Sequence, residues 1–431
     1  MTAFKCCMLF LSLGLAVNTG TEAAINGGES STDFAALCAM INLADREITV
    51  AEVPTAIDSI AQTIAAINMP LAGSALEDRV DETKAINQLE EPAATKAKGL
   101  EEHWNFLQKG RAALKAEDRT KYSVWKADPK QENRRQAAAL LAKEAATLFA
   151  EATRQRQLLT AAPINDALKT ALYGESKQPS GVKAATATRE NECGPTGGAG
   201  GAAAGASLML DALCVCGKHS SEGSGEKNCG KDWASAPYNT AWTPNEDSTA
   251  LVTGIINKCH LKTKPKTITR AAVEAATNSF MLRLGEPRGD NKNLCLMLGA
   301  INVAGETGYT RQHNGGAGPC LQYKPAYFTG EEASLPWLVQ LNAAVSKLEA
   351  ANAANRRLKE IDGQLKTLNT SLTSLLHTTG PRSATPLATS DSSHNPKQCD
   401  TYTSNQTCTA NNCKWEGTEE TKEECKPKDE E

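Results

Sequence analysis

Near the end of the chain, aliphatic residues recur at alternating steps of three and four positions, and this pattern constrains the fold more than any other feature. Such spacing places every member on one narrow stripe of an α-helix, as in the seam of a helical bundle. We therefore expect the stripe to pack against partner helices. The repeat consists of Leu358, Ile361, Leu365, Leu368, Leu372 and Leu375.

Earlier segments carry similar patterns. Apolar residues recur at helical spacing over residues 34–48, and again over residues 53–71, where Pro54 suits a first helical turn. Residues 99–161 are rich in Ala, Glu, Lys, Arg and Gln, with Pro129 as an expected kink or break. Roughly 30 to 40 helical residues span on the order of 50 Å. The prediction is a mainly α fold, an elongated bundle of long antiparallel helices.

Residues 175–336 interrupt this helical pattern. They are rich in Gly, Pro, Asn, Ser and Thr, carry seven cysteines and contain only short apolar runs. This composition predicts an irregular, disulfide-bonded insertion that forms a lobe at one end of the bundle. Within it we expect one helix after the glycines of residues 193–216 and another over residues 269–284.

The first 23 residues have the layout of a secretory signal peptide. Lys5 precedes an apolar run over residues 6–17, and Thr21 and Ala23 suit the small positions before a cleavage site. This run is well below the ~20 apolar residues that a membrane-spanning helix needs. We expect a mature chain that starts near Ala24 and enters an oxidising compartment, where cysteines form disulfides.

Removal of the signal peptide leaves twelve of the fourteen cysteines, eight of them up to Cys320 and four in the tail. Both numbers are even, as two closed sets of disulfides require. We predict that all twelve are oxidised and that the two sets do not mix, while the pairings within each set stay open. The predicted disulfide cysteines are Cys38, Cys193, Cys214, Cys216, Cys229, Cys259, Cys295, Cys320, Cys399, Cys408, Cys413 and Cys425.

Residues 399–431 have cysteines but almost nothing from which to build a core. They contain one Trp, one Tyr and no Leu, Ile or Val, and their cysteines follow a C-x8-C-x4-C-x11-C spacing. Such a unit depends on its crosslinks, each worth ~2–4 kcal/mol. Residues 377–398 are mainly Ser, Thr and Pro, which predicts a flexible linker. The expected order is therefore signal peptide (1–23), helical domain (24–376), linker and cysteine-rich domain.

No motif nominates a catalytic, cofactor-binding or metal-binding residue. The glycines of residues 194–205 break the G-x-G-x-x-G pattern and lack a G-K-[ST] ending, so a turn with close helix packing is favoured. A zinc site could be drawn from Cys214, Cys216, His219, Cys229, Cys259 and His260, but disulfides are favoured in an oxidising compartment. A formal net charge of −4 without a basic cluster gives no nucleic-acid footprint. We expect a protein that is not an enzyme and uses no cofactor.

Two sequons can accept N-glycans if the chain enters the secretory route. They are N-T-S at Asn369 and N-Q-T at Asn405. Asn369 lies between Leu368 and Leu372 of the seam, so its side chain is expected to face away from the seam. We predict that both asparagines are glycosylated.

Taken together, these residues resemble the variant surface glycoproteins of African trypanosomes. The resemblance is carried by the signal peptide and by the segments AINGGESSTDFAALCAMINLA, GGAGGAAAGASLMLDALCVC and NSFMLRLG. It is carried also by the tail CDTYTSNQTCTANNCKWEGTEETKEECKPKDEE, whose C-x4-C-x-W pattern is similar to the small C-terminal domain of these coat proteins. The Gly-Ala block before LCVC resembles the class B type of N-terminal domain.

Membership of this family implies a helical-bundle N-terminal domain, a homo-oligomer that is expected to be a dimer, and N-glycosylation. It also implies a glycosylphosphatidylinositol anchor in the plasma membrane and a non-catalytic coat that is exchanged to escape host antibodies. Relatives that bind host proteins make a surface receptor on the same scaffold the alternative. Since the sequence ends at Glu431 without an anchor signal, we expect it to be cut short or the gene to be incomplete, and resemblance alone implies the anchor.

Overall fold

A computed structural model describes residues 28–375, with internal gaps, and three short pieces of the C-terminal segment, 408–409, 414–416 and 424–426. The predicted signal peptide and linker lie outside the described residues. Contacts divide the chain into two units, Met1–Leu376 and His377–Glu431. The gaps are residues 73, 92, 117–121, 123–124, 126–131, 177–181, 183–185, 195–199, 219–228, 231–232, 234, 245, 261–266, 289–294, 302–319 and 331.

The first unit is predominantly helical, as the sequence predicts. Its one described strand pair is antiparallel, with Leu298 of β1 (Met297–Gly299) opposite Leu321 of β2 (Cys320–Gln322). The helices in chain order are α1 (Ser31–Ala44), α2 (Ala56–Ala72), α3 (Ser74–Glu77), α4 (Ala93–Ala97), α5 (Trp104–Ala116), α6 (Glu132–Arg156), α7 (Ala162–Tyr173), α8 (Arg189–Cys193), α9 (Leu208–Cys216), α10 (Thr249–His260), α11 (Arg270–Leu284) and α12 (Pro336–Ser374).

Helix α12 is 39 residues long and contributes to two separate hydrophobic cores. It begins at Pro336, whose fixed φ suits the first helical turn. Side chains from Trp337 to Ala351 pack into the first core, and those from Leu358 to Leu372 pack into the second. The predicted seam is confirmed, since its members from residue 358 to residue 372 are all buried.

The second core is the bundle, in which α2, α5, α6 and the second half of α12 bury their apolar faces. Helix α6 contributes mostly alanines, such as Ala138, Ala142 and Ala145, which let neighbouring backbones approach closely. Leu140 of the same helix is 67% exposed. In the helical segment predicted over residues 99–161, the described residues include the long helices α5 and α6. The predicted break at Pro129 lies outside the described residues.

The first core is the lobe, which we define as α1, α7 to α11, the β1–β2 pair and the first half of α12. Helix α11 is the predicted helix over residues 269–284, and Thr269 caps it by accepting a hydrogen bond from the backbone N–H of Ala272 at 3.2 Å. Helices α1 and α7 belong to this core although they lie outside the predicted range of 175–336. Helix α1 is buried on nearly every side, unlike the one-sided helices of the bundle.

The second unit contains an antiparallel pair of short strands, β3 (Lys414–Glu416) and β4 (Glu424–Lys426). Trp415 lies opposite Cys425 and packs against the Cys408–Cys425 disulfide, whose Cα atoms are 5.7 Å apart. In the parts of the chain that the structure describes, every helix is too short or too polar to cross a bilayer.

Candidate functional site: the disulfide-bonded lobe

Helix α9 is the centre of the lobe, because all nine of its residues are buried. A helix that is apolar around its whole circumference belongs in a protein interior. It starts after Ser207, whose hydroxyl accepts a hydrogen bond from the backbone N–H of Leu210 at 3.2 Å. The glycine-rich segment before it serves close packing, since a Cβ on Gly201 would lie 2.3 Å from the carbonyl oxygen of Glu192.

Three disulfides join the lobe around α9. Cys193–Cys214 ties α8 to α9, and Cys216–Cys229 ties the end of α9 to the segment that follows, with Cα separations of 5.6 and 5.4 Å. Cys38–Cys259 joins α1 to α10 across 221 positions of the chain. Crosslinks over long chain separations restrict the unfolded chain most, so this bond holds the lobe's N-terminal helix to residues far along the sequence.

The other predicted disulfide cysteines occupy different settings. Cys320 is buried in β2 and forms no disulfide with the described residues. Burial raises the pKa of its thiol to about 12, so the thiolate needed for nucleophilic attack does not form near neutral pH. Oxidation of Cys295 and Cys320 stays a prediction. Cys399 and Cys413 lie outside the described residues.

A buried carboxylate, Asp211 of α9, joins three segments of the lobe. One of its oxygens accepts a hydrogen bond from the backbone N–H of Gly205 at 2.9 Å. The other accepts from the hydroxyl of Tyr323 and from the indole N–H of Trp337, both at 2.8 Å. Burial raises the pKa of Asp211 to about 7, although the three donors each lower it. The carboxylate thus connects the glycine-rich turn, the end of β2 and the first turn of α12.

A second buried carboxylate, Asp33 of α1, fastens α1 to the α11–β1 region. It lies between Arg283 and Arg288, each with a nitrogen 2.7 Å from the same carboxylate oxygen. Its other oxygen accepts the backbone N–H of Gly299 at 2.6 Å. Sequence reasoning missed both aspartates. For Asp211 a signal was present, because it is the one charged residue within the apolar helix α9.

One histidine–aspartate pair in the described residues has the residue types that are used in acid–base catalysis. His260 and Asp45 contact each other at 2.6 Å between a ring nitrogen and a carboxylate oxygen, next to the Cys38–Cys259 disulfide. Both side chains are about 30% exposed, and this arrangement is a surface ion pair once the histidine is protonated. Within the described part of the chain, no cluster of three or more His, Cys, Asp or Glu residues is placed to hold a metal ion.

A cavity of about 430 Å³ lies on the bundle, lined by residues of α2, α5 and α6. Its charges already pair with one another, because Asp58 lies 2.9 Å from Lys109 and also binds Arg156. Phe149, which lines the inner side, is buried. The arrangement is that of a solvent-facing ion-pair network over a packed helix interface.

The structure describes the sequon at Asn369 but not the sequon at Asn405. Asn369 lies in the last third of α12 and is half-buried, with its side-chain oxygen shielded from solvent. Its neighbours Leu368 and Leu372 face the bundle core. Asn405 lies outside the described residues. Glycosylation at both positions stays a prediction.

The fold and the lobe define a disulfide-bonded, helical-bundle domain. A family model described as "Trypanosomal VSG domain" matches residues 12–367, and the chain belongs to this family. This match confirms the resemblance drawn from the sequence motifs. It covers α2, α5 and α6 of the bundle, most of α12 and every element of the lobe.

Two curated relatives from Trypanosoma brucei brucei are similar to the chain. Variant surface glycoprotein ILTAT 1.25 is 28% identical over 294 residues, which cover 66% of this chain and 56% of the relative. Variant surface glycoprotein ILTAT 1.23 is 24% identical over 280 residues, which cover 60% of this chain and 49% of the relative. The chain therefore matches about half the length of each relative.

Proposed function

We propose that this chain is a non-catalytic coat glycoprotein of a trypanosome cell surface, which shields the membrane and is exchanged to evade host antibodies. The observation that carries the proposal is the family match over residues 12–367, together with the similarity to two variant surface glycoproteins. The exposed, variable face is the lobe, and its insertion over residues 175–336 holds most of the antigenic surface. The alternative is a receptor that binds a host protein on the same scaffold.

The architecture of the first unit supports this assignment. Helix α12 runs from the lobe core into the bundle core, so the chain leaves the bundle at the end away from the lobe. Residues 377–431 follow from there, and we propose that they lead to a glycosylphosphatidylinositol anchor. The lobe then faces outward. Loops held by a rigid core are where sequence change costs least stability and where antibodies find surface.

The proposal includes modifications and partners. Asn369 and Asn405 carry N-glycans, and the chain assembles as a homo-oligomer, a dimer in particular. Release of glycans from denatured protein with an N-glycosidase should lower the mass by two glycans. Loss of one glycan or none contradicts this part of the proposal.

Exchange of the lobe between coat proteins tests the proposal. The graft should carry residues 28–50 together with 162–351, because these ranges contain every element of the lobe and the Cys38–Cys259 disulfide joins them. Cells that display a relative with this graft should be recognised by serum raised against the present protein. The matched control is the reciprocal chimera, which keeps this chain's bundle helices α2, α5 and α6 under the relative's lobe.

Two results would overturn the assignment. If the serum recognised the control chimera, which keeps this chain's bundle helices, the lobe would not be the antigenic face. Saturable, high-affinity capture of one host serum protein by the immobilised first unit would favour the receptor. A coat protein should show neither result.

A further inference from the structure

Asp211 is a buried acid that has no cationic partner among the described residues. It is 0% exposed, and no ion pair reaches it from the described residues. Its three hydrogen-bond donors are all neutral: a backbone amide, a phenol and an indole. Burial of an ionised carboxylate without a counter-charge is strongly unfavourable, even when its oxygens accept hydrogen bonds.

One of the three donors can also act as an acceptor. The backbone N–H of Gly205 and the indole N–H of Trp337 can only donate, whereas the hydroxyl of Tyr323 has lone pairs. When the carboxyl group carries a proton, it can donate to the phenolic oxygen in place of accepting from it. The number of hydrogen bonds stays at three. The phenolic hydrogen is left without a partner, which is a smaller penalty than a buried charge.

We propose that Asp211 is a proton-binding site in the lobe core, where the carboxyl group takes up a proton from solvent as the pH falls from neutral toward 5. The protonated and ionised forms both join the glycine-rich turn, Tyr323 and the first turn of α12. Because only the ionised form carries a buried charge without a counter-charge, the lobe holds the start of α12 more firmly in mildly acidic solution than in alkaline solution.

The other ionisable groups near Asp211 do not take this role, because each is either bonded to a partner or has a pKa raised far above neutral. Tyr323 stays protonated, since burial raises its pKa well above the ordinary value and the charge of Asp211 raises it further. Burial and the charge of Asp211 both raise the pKa of Tyr327 above its ordinary value. The groups on neighbouring elements are Asp33, paired with Arg283 and Arg288; Arg189, bonded to the carbonyls of Gly217 and Lys218; Glu192, bonded to Thr186; His260, paired with Asp45; and the thiol of Cys320.

The sign of the pH effect follows from linkage. The pKa of Asp211 is about 7 in the folded chain and about 3.9 in an unfolded chain. Between these values the folded chain binds more protons, so the stability contributed by the site is complete below about pH 4 and is lost as the pH rises toward 7. Over this window the unfolding equilibrium constant should increase by up to about tenfold per pH unit.

Infrared titration of the folded protein, isotopically labelled at aspartate, tests the proposal directly. A carboxylic acid band from aspartate should appear as the pH falls from 8 to 5. Trp337→Phe removes a donor that favours the ionised form, so the midpoint of this band should move to higher pH. Trp242→Phe is the matched control, because Trp242 is buried in the same core but does not bond to Asp211, and it should leave the midpoint unchanged.

Urea unfolding of the wild-type chain and of Asp211→Asn provides a second test. The difference between their unfolding free energies should change with pH, with a slope that corresponds to the uptake of up to one proton. The matched control is Asp247→Asn at an exposed position, which should show no such change above pH 5. If Asp211→Asn does not fold, the infrared titration still decides. Absence of an aspartate carboxylic acid band down to pH 5, or equal midpoints in the wild-type chain and Trp337→Phe, would overturn the proposal.

Discussion

Two glycines in helices of the bundle differ in what surrounds them, and the difference predicts opposite effects of one substitution. A Cβ on Gly363 of α12 would meet no atom within 4 Å, whereas a Cβ on Gly110 of α5 would lie 2.7 Å from the backbone of Ala65. A glycine inside a helix costs about 1 kcal/mol relative to alanine. Gly363→Ala should therefore stabilise the first unit by about 1 kcal/mol in thermal or urea unfolding.

Gly110→Ala is the matched control, because it makes the same substitution at a packed position. The new methyl group forces α5 away from α2, and overpacking of this kind costs about 1–3 kcal/mol. Helix propensity offsets part of that cost, so the net effect is destabilising. If Gly363→Ala also destabilised the protein, a second molecule would have to approach α12 closely at this glycine.

At the scale of single elements, the β3–β4 pair shows why the C-terminal unit needs its disulfide. Lys414 lies opposite Lys426, and Glu416 lies opposite Glu424, so both outer cross-strand pairs carry like charges. Like charges directly opposite each other destabilise a strand pair. The diagonal ion pair between Lys426 and Glu416, at 2.8 Å, is solvent-exposed and contributes little.

Removal of the Cys408–Cys425 disulfide should therefore unfold the strand pair. The bond closes a loop of 17 positions, which corresponds to about 3 kcal/mol, and a two-stranded pair is marginal by itself. In Cys408→Ser/Cys425→Ser, the backbone amides of β3 and β4 should lose their protection from hydrogen exchange. The backbone amides of α6 should keep their protection. If the amides of β3 and β4 also stayed protected, the like-charged cross-strand pairs would destabilise the strand pair less than we expect.

The positions of the helices were easier to predict from the sequence than the set of elements that packs into the lobe core. A three-four repeat marks one buried stripe, and this signal located α1, α2 and the seam of α12, while α11 was also predicted. Helix α10 was not predicted, because it lies in a segment with a loop-like composition. Helices α1 and α9 were predicted as helices, but the sequence did not show that α1 and α7 belong to the lobe core, because that depends on packing between distant segments.

Disulfide partners and buried charges depend on contacts between distant segments. The even cysteine counts predict oxidation, but they leave the pairings open, and Cys38–Cys259 spans 221 positions. Asp33 likewise meets Arg283 and Arg288 only after α1 has packed beside α11 and β1. No local pattern indicates such pairs, since each residue lies in a segment that is ordinary when taken alone.

At the scale of the whole first unit, α12 contributes to two hydrophobic cores that are stabilised in different ways. The bundle core is built on a regular seam of Leu and Ile, while the lobe core is held by three disulfides and by buried carboxylates that include Asp33 and Asp211. A framework held by crosslinks and buried hydrogen bonds tolerates change at its exposed positions, because surface substitutions away from such features usually alter stability by less than ~0.5 kcal/mol. This separation into two cores is consistent with the coat function that we propose, in which the lobe is the variable face and the bundle is the scaffold.

The most direct test of the coat assignment is absorption of serum raised against live cells that display this protein. The absorbing proteins would be the wild-type chain and a variant with the exposed α11 residues Glu274, Asn278 and Leu282 replaced by serine. A bundle variant with Lys143, Glu144 and Leu140 of α6 replaced by serine is the control. We predict that the lobe variant leaves a clear fraction of the cell-binding antibodies in the serum, while the bundle variant removes nearly all of them. Antibodies that bind intact cells and are removed by residues 399–431 alone would contradict the proposed orientation.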